Sequence, residues 1–162
     1  MAEYSTCIHE AGHGVAASIL NVGYAAVSVK ERDGHLGRLT PSPSWMNMMV
    51  NDPIDGDWTA SSFAIVCLAG PSAEALYMNE RLDWPASIDW SQYGSEQDFA
   101  IAKDLAYALD VRFEALLEDA AGMWLEDRIW LAVQRVADKL IEKTILPYGE
   151  VDRIIGLERA WA

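Results

Sequence analysis

The sequence predicts a mainly α-helical fold with one small β-hairpin or sheet. Three observations lead there. Apolar and small residues recur at helical spacing over most of the chain, and two short strand-like runs flank an Asp-Gly signal. The length, 162 residues with 51% hydrophobic content, suits one substantial core, so a single domain over residues 1–162 is expected.

From Glu3 to about Leu20 the residues favour helix, with Cys7, Ala11, Val15 and Ile19 forming a thin apolar or small stripe at helical spacing. AAVSVK and HLGRLT are the strand-like runs, joined by ERDG. PSPSWMNMMVNDPIDGD has the Pro, Asn, Asp and Gly of an irregular segment, and a second helical region runs from about Trp58 to Met78. Pro71 should start, kink or divide that helix. The stretch from Asn79 to Gly94 holds Trp84, Pro85, Trp90 and Tyr93 without a period and reads as an ordered loop. Ser95, followed three residues later by Asp98, is a capping-box-like start for a third helix through Ala108. Helical spacing returns from about Phe113 to Lys143, with a break near Gly122, and a last short helix follows Pro147.

Acidic residues number 25 against 12 basic ones, and the formal charge of -13 opposes binding to nucleic acid or anionic lipid. The longest apolar stretches, around FAIVCLAG and SILNVGYAAVSV, are interrupted by Gly, Asn or Ser and fall short of the roughly 20 residues that span a bilayer. No direct membrane insertion is expected. The N-terminus lacks the basic segment and apolar core of a secretory signal, which points to a cytoplasmic location. Cys7 and Cys67 have no second cysteine at metal-site spacing and read as core residues.

The chemistry concentrates in His9-Glu10-Ala11-Gly12-His13. Two imidazoles four residues apart lie about one helical turn apart on one face, where both can reach a single cation. Neutral imidazole suits Zn²⁺, and a catalytic zinc site has three protein ligands plus a water made acidic by the metal. Glu10 falls beside that position, as a base for the water and a proton donor to a leaving amine. Glu10 and His13 also have the Glu-x-x-His spacing of di-iron helix bundles, but such a site needs a second copy, and the sequence has none. For the third ligand, Asp98, Glu74 and Glu80 all remain candidates, because any acidic residue on a helix packed beside the motif could serve. His35, alone in the hairpin, is read as having no catalytic role.

YSTCIHEAGHGVAA closely resembles the active-site helix of the FtsH-type, ATP-dependent zinc metalloproteases, whose motif is also commonly His-Glu-Ala-Gly-His. VSVKERDGHLGRLTPSP is similar to that family's strand pair, and CLAGPSAEALYM to its Leu-x-Gly-Gly-Arg-x-Ala-Glu-Glu helix. GSEQDFAIAKDLA matches its Gly-Ala-x-Asn-Asp-Leu-x-x-Ala-Thr-x-x-Ala pattern, and VADKLIEKTILPYGEVDRIIG its C-terminal block. The resemblance covers nearly the whole chain in order. It implies the helical peptidase fold with its small sheet, zinc as cofactor, and Asp98 as the third ligand beside His9 and His13. It also implies that the edge strand Leu36 to Thr40 pairs with an extended substrate backbone. Pro71 departs from the family's Arg and Gln97 from its Asn; neither is a proposed ligand. The 162 residues contain no GxxxxGK[ST] phosphate loop.

The expected activity is therefore that of a stand-alone zinc endopeptidase acting on peptides or unfolded chains, with a homo-oligomer or a separate ATPase as conceivable partners. The alternative is a metal-binding regulatory or protein-interaction module with little or no proteolysis. Trp84, Trp90 and Tyr93 would then supply an aromatic partner surface.

Overall fold

In the computed structural model, residues 3–32, 35–41, 56–79 and 96–159 are described. They form helices α1 (Tyr4–Ile19), α2 (Gly56–Asn79), α3 (Glu96–Leu109), α4 (Phe113–Gly122), α5 (Asp127–Lys143) and α6 (Tyr148–Arg159). Strands β1 (Tyr24–Arg32), β2 (His35–Pro41) and β3 (Ile145–Pro147) make one antiparallel sheet in the order β2-β1-β3. The chain is mainly helical with a small sheet, as its periodicity predicts. Asp33 and Gly34, the residues from 42 to 55 and those from 80 to 95, including Glu80, Trp84, Trp90, Tyr93 and Ser95, lie outside the described residues.

The centre of the fold is α1. Its apolar or small stripe is thin, yet every residue from Cys7 to Ala17 is buried. Small side chains explain the difference. A Cβ on Gly12 would sit 2.7 Å from Ala73 Cβ, and one on Gly14 would sit 2.6 Å from Val27 Cγ2. Residues two apart on a helix point about 200° apart. The two glycines therefore admit α2 on one side of α1 and the sheet on the other.

One hydrophobic core surrounds α1, drawing on Val27, Trp124, Val133, Leu140, Leu146 and Val151 among others. A second core lies between α2, α3 and α4, through Leu68, Ala102, Ala106 and Leu116. Because α2 packs into both, it stays helical where local preference would interrupt it. Pro71, expected to start, kink or divide this helix, neither starts nor divides it: the helix is continuous from Gly56 to Asn79 with Pro71 inside. Tertiary burial outweighs the lost backbone bond. Residues 71–73 are buried, and Ser72 Oγ donates to Ala69 O at 3.0 Å while accepting a hydrogen bond from the fully buried Trp124 Nε1 at 2.8 Å. The segment Trp58–Asn79 is long and apolar enough by composition to cross a membrane, but 72% of its most apolar window is buried within the fold, as in a core helix.

The strand β3 has no counterpart in the sequence reading. Ile145, Leu146 and Pro147 pair with Ser28, Val27 and Ala26 of β1, leaving β2 at the outside of the sheet. Thr144 delivers the chain into it by taking a left-handed conformation (φ 64°) at the end of α5. Cys7 and Cys67 are free and buried, as expected of core residues.

Candidate metal centre

The motif lies in the middle of α1, so its side chains are presented by the most enclosed helix of the fold. His9, Glu10 and His13 are 9%, 5% and 6% exposed. The imidazole centroids are 4.9 Å apart at an interplanar angle of 71°. One ligand atom from each of His9, Glu10 and His13 can be chosen so that all lie within 4.8 Å of one another, a buried cluster able to hold a metal ion.

The orientation of each ring is fixed from behind. His9 Nδ1 donates to Glu74 Oε2 at 2.8 Å, and His13 Nδ1 donates to the Val66 carbonyl oxygen at 2.7 Å. With both Nδ1 atoms acting as donors, both Nε2 atoms turn toward α3, where they meet the same oxygen: Asp98 Oδ2 is 3.2 Å from His9 Nε2 and 3.4 Å from His13 Nε2. Carboxylate or carbonyl support of the far ring nitrogen is the usual way a metal-binding imidazole is oriented and made more basic. The two imidazole nitrogens and nearby carboxylate oxygens therefore form a donor set suited to a divalent transition metal.

Electrostatics point the same way. Burial opposes a charged His9, but hydrogen bonds to Asp98 and Glu74 outweigh it and push its pKa up to about 10. His13 is raised as well, because Asp98 overcomes the cost of burial. Asp98 is itself desolvated, yet the two imidazoles, His13 foremost, hold its carboxyl well below the usual carboxylate range. Three carboxylates face two imidazoles, so the cluster demands positive charge, which protons on Nε2 or a cation can supply. Glu10 differs from the others: burial pushes its carboxyl up against the pull of His13 and His9, and its Oε2 is buried without a hydrogen-bond partner. An oxygen in that condition is costly unless something polar arrives to meet it.

Of the residues singled out from sequence, His9, Glu10, His13 and Asp98 come together. Glu74, considered there as a possible ligand, holds the opposite nitrogen of His9 and is placed to orient that ring. Two further contributors escaped the sequence reading. The Val66 carbonyl has no side-chain signature. Gly70 does leave a trace, since a glycine within a helix calls for a packing reason; here a Cβ would overlap the His13 ring, lying 2.5 Å from Cε1 and 2.7 Å from Cδ2. Neither a scan of the chain against models of known protein families nor a search of curated proteins found a match.

Proposed function

We propose that this chain is a zinc-dependent endopeptidase of the FtsH-type peptidase kind, acting on peptides or unfolded chains. The observation that carries the proposal is the convergence of the His9 and His13 Nε2 atoms on Asp98, beside the partnerless Glu10 Oε2. The ordered sequence blocks that resemble those proteases support it. In this reading His9, His13 and Asp98 hold zinc, which when bound polarises a peptide carbonyl and makes the attacking water more acidic.

The chain's own residues do the rest. The Glu10 carboxylate takes a proton from the water as its oxygen bonds to the peptide carbon, then delivers that proton to the amine nitrogen as the C–N bond breaks. Burial raises the pKa of Glu10 and so brings it nearer the working pH, which favours both halves of this transfer. Glu74 and the Val66 carbonyl keep both Nε2 atoms directed at the reaction centre. In this reading β2, one of the two edge strands of the sheet, pairs with an extended substrate backbone. These 162 residues contain no phosphate-binding loop, so they do not themselves supply ATP-driven unfolding of a folded substrate.

The test combines zinc content with cleavage of casein, comparing the native chain with Glu10→Gln. Equal zinc in both, with cleavage in the native chain alone, is the expected result. Zinc in both with cleavage in neither would replace this reading with that of a metal-binding regulatory module. Absence of zinc from the native chain after equilibration with the metal would refute the site.

A further inference from the structure

A second concave site lies at the far end of α1, about 7 Å along the helix axis from His13 at 1.5 Å per residue. It is a cleft of about 320 Å³ between the end of α1, the start of β1 and the start of α6. Ala17, Val22 and Tyr24 lie at its base, all buried, and the half-exposed Tyr148 and exposed Asp152 stand at its rim. The Tyr24 and Tyr148 rings meet at 77° with centroids 6.3 Å apart, forming an aromatic corner. The Tyr24 hydroxyl is tied to Ser18 Oγ at 2.8 Å.

The one charged side chain lining this corner is acidic. The end of α1 carries the negative pole of its helix dipole, and no basic residue occupies its last turn. Asp152 adds a full negative charge, and no basic side chain is among the residues lining the cleft. Glu150 lies in the first turn of α6, where it faces that helix's positive pole and pairs with Lys143 at 2.7 Å and Arg153 at 3.3 Å. Burial, helped by the Asp152 charge, raises the Tyr24 pKa against the pull of the Ser18 hydrogen bond, so its ring remains a neutral phenol. Two aromatic walls, a carboxylate and a helix C-terminus are the surroundings that attract an organic cation through ring quadrupole and charge.

We propose that this cleft binds an organic ammonium group, either a free amine or a basic side chain of a peptide. The site is separate from the metal centre, and the proposal stands whether or not the chain is a peptidase. Two-dimensional amide NMR titration of the full chain tests it, with choline as the probe, N-acetyl-lysine methylamide as the peptide-like probe, and 3,3-dimethylbutan-1-ol as the neutral analogue of choline. Saturable shifts at amides of residues 17–24 and 148–152 are expected with the cations but not with the alcohol. Tyr148→Ala should weaken binding about two- to five-fold, the range of an exposed cation–π contact, and Asp152→Asn should weaken it too. Both residues are exposed, so both variants should keep the native spectrum elsewhere. Tighter binding of the lysine amide would name a basic side chain as the occupant, and tighter binding of choline a free quaternary amine. Equal binding of the alcohol, indifference of the cations to both substitutions, or no shift with either cation overturns the proposal.

Discussion

Replacing Gly70 by alanine adds one methyl group where the His13 ring already stands. The new Cβ would lie 2.5 Å from Cε1 and 2.7 Å from Cδ2, whereas ordinary contact begins at 3.4 Å. The ring would therefore have to move by about 1 Å, against the hydrogen bond that its Nδ1 makes to Val66 O. Overpacking of this kind costs about 1–3 kcal/mol, while alanine in place of glycine inside a helix returns about 1 kcal/mol. The expected net loss of stability is thus at most about 2 kcal/mol. Zinc affinity should suffer far more. Metal–ligand distances tolerate only about 0.2 Å, and disturbing the groups behind a ligand already costs about 10–100-fold. Competition with a chromophoric chelator should show zinc binding weakened by about 100-fold, and urea unfolding in the presence of a chelator should show the smaller stability change. Gly122→Ala is the control: it has nothing within 4 Å of the added Cβ and should gain up to about 1 kcal/mol. A Gly70→Ala chain that binds zinc like the native chain and is stabilised like the control would refute the packing on which this site is built.

Other substitutions probe the same centre. Glu74→Gln should weaken zinc binding by about 10–100-fold without abolishing it, read by the same chelator competition, because it affects the orientation and basicity of His9 rather than a proposed ligand. Trp124→Phe removes the donor to Ser72 Oγ and part of a fully buried ring, and should lower unfolding stability by about 1–3 kcal/mol in urea. In the metal-free protein His9 is raised from 6.5 to about 10, so its stabilising contribution is complete below about pH 6.5 and is lost as pH rises toward 10. Glu10, also raised, loses stability in the same direction above its ordinary carboxylate range, whereas the depressed Asp98 contributes above that range and loses its contribution in acid. Thermal unfolding with a chelator present should therefore show a lower midpoint at pH 9 than at pH 6. An equal or higher midpoint at pH 9 would contradict the charge arrangement.

The parts of this molecule that could be read from sequence are those written in local spacing. His9 and His13 share a helix face because they are four residues apart, and the hairpin announces itself through Asp33-Gly34 between strand-like runs. Asp98 is different: it lies 89 residues from His9, and only the ordered resemblance of several blocks singled it out from Glu74 and Glu80. What escaped the reading depends on tertiary contacts. β3 is three residues ending in proline, too short for a strand signal, and exists because β1 offers it a partner. Pro71 reads locally as a break, but two cores hold α2 together across it. The stripe on α1 marks only part of what is buried, because Gly12 and Gly14 let neighbours close on opposite sides. Glu74 was visible as an acid near the motif, but its assignment to Nδ1 depends on how α2 packs against α1.

The proposed peptidase site requires one zinc ion shared by His9 Nε2, His13 Nε2 and the Asp98 carboxylate. Anomalous scattering at the zinc edge from crystals of the zinc-loaded chain tests this most directly. A single peak about 2.0–2.2 Å from those three groups is the predicted result. A peak on the Nδ1 side of His9, a peak without Asp98, or no peak near the motif would contradict it.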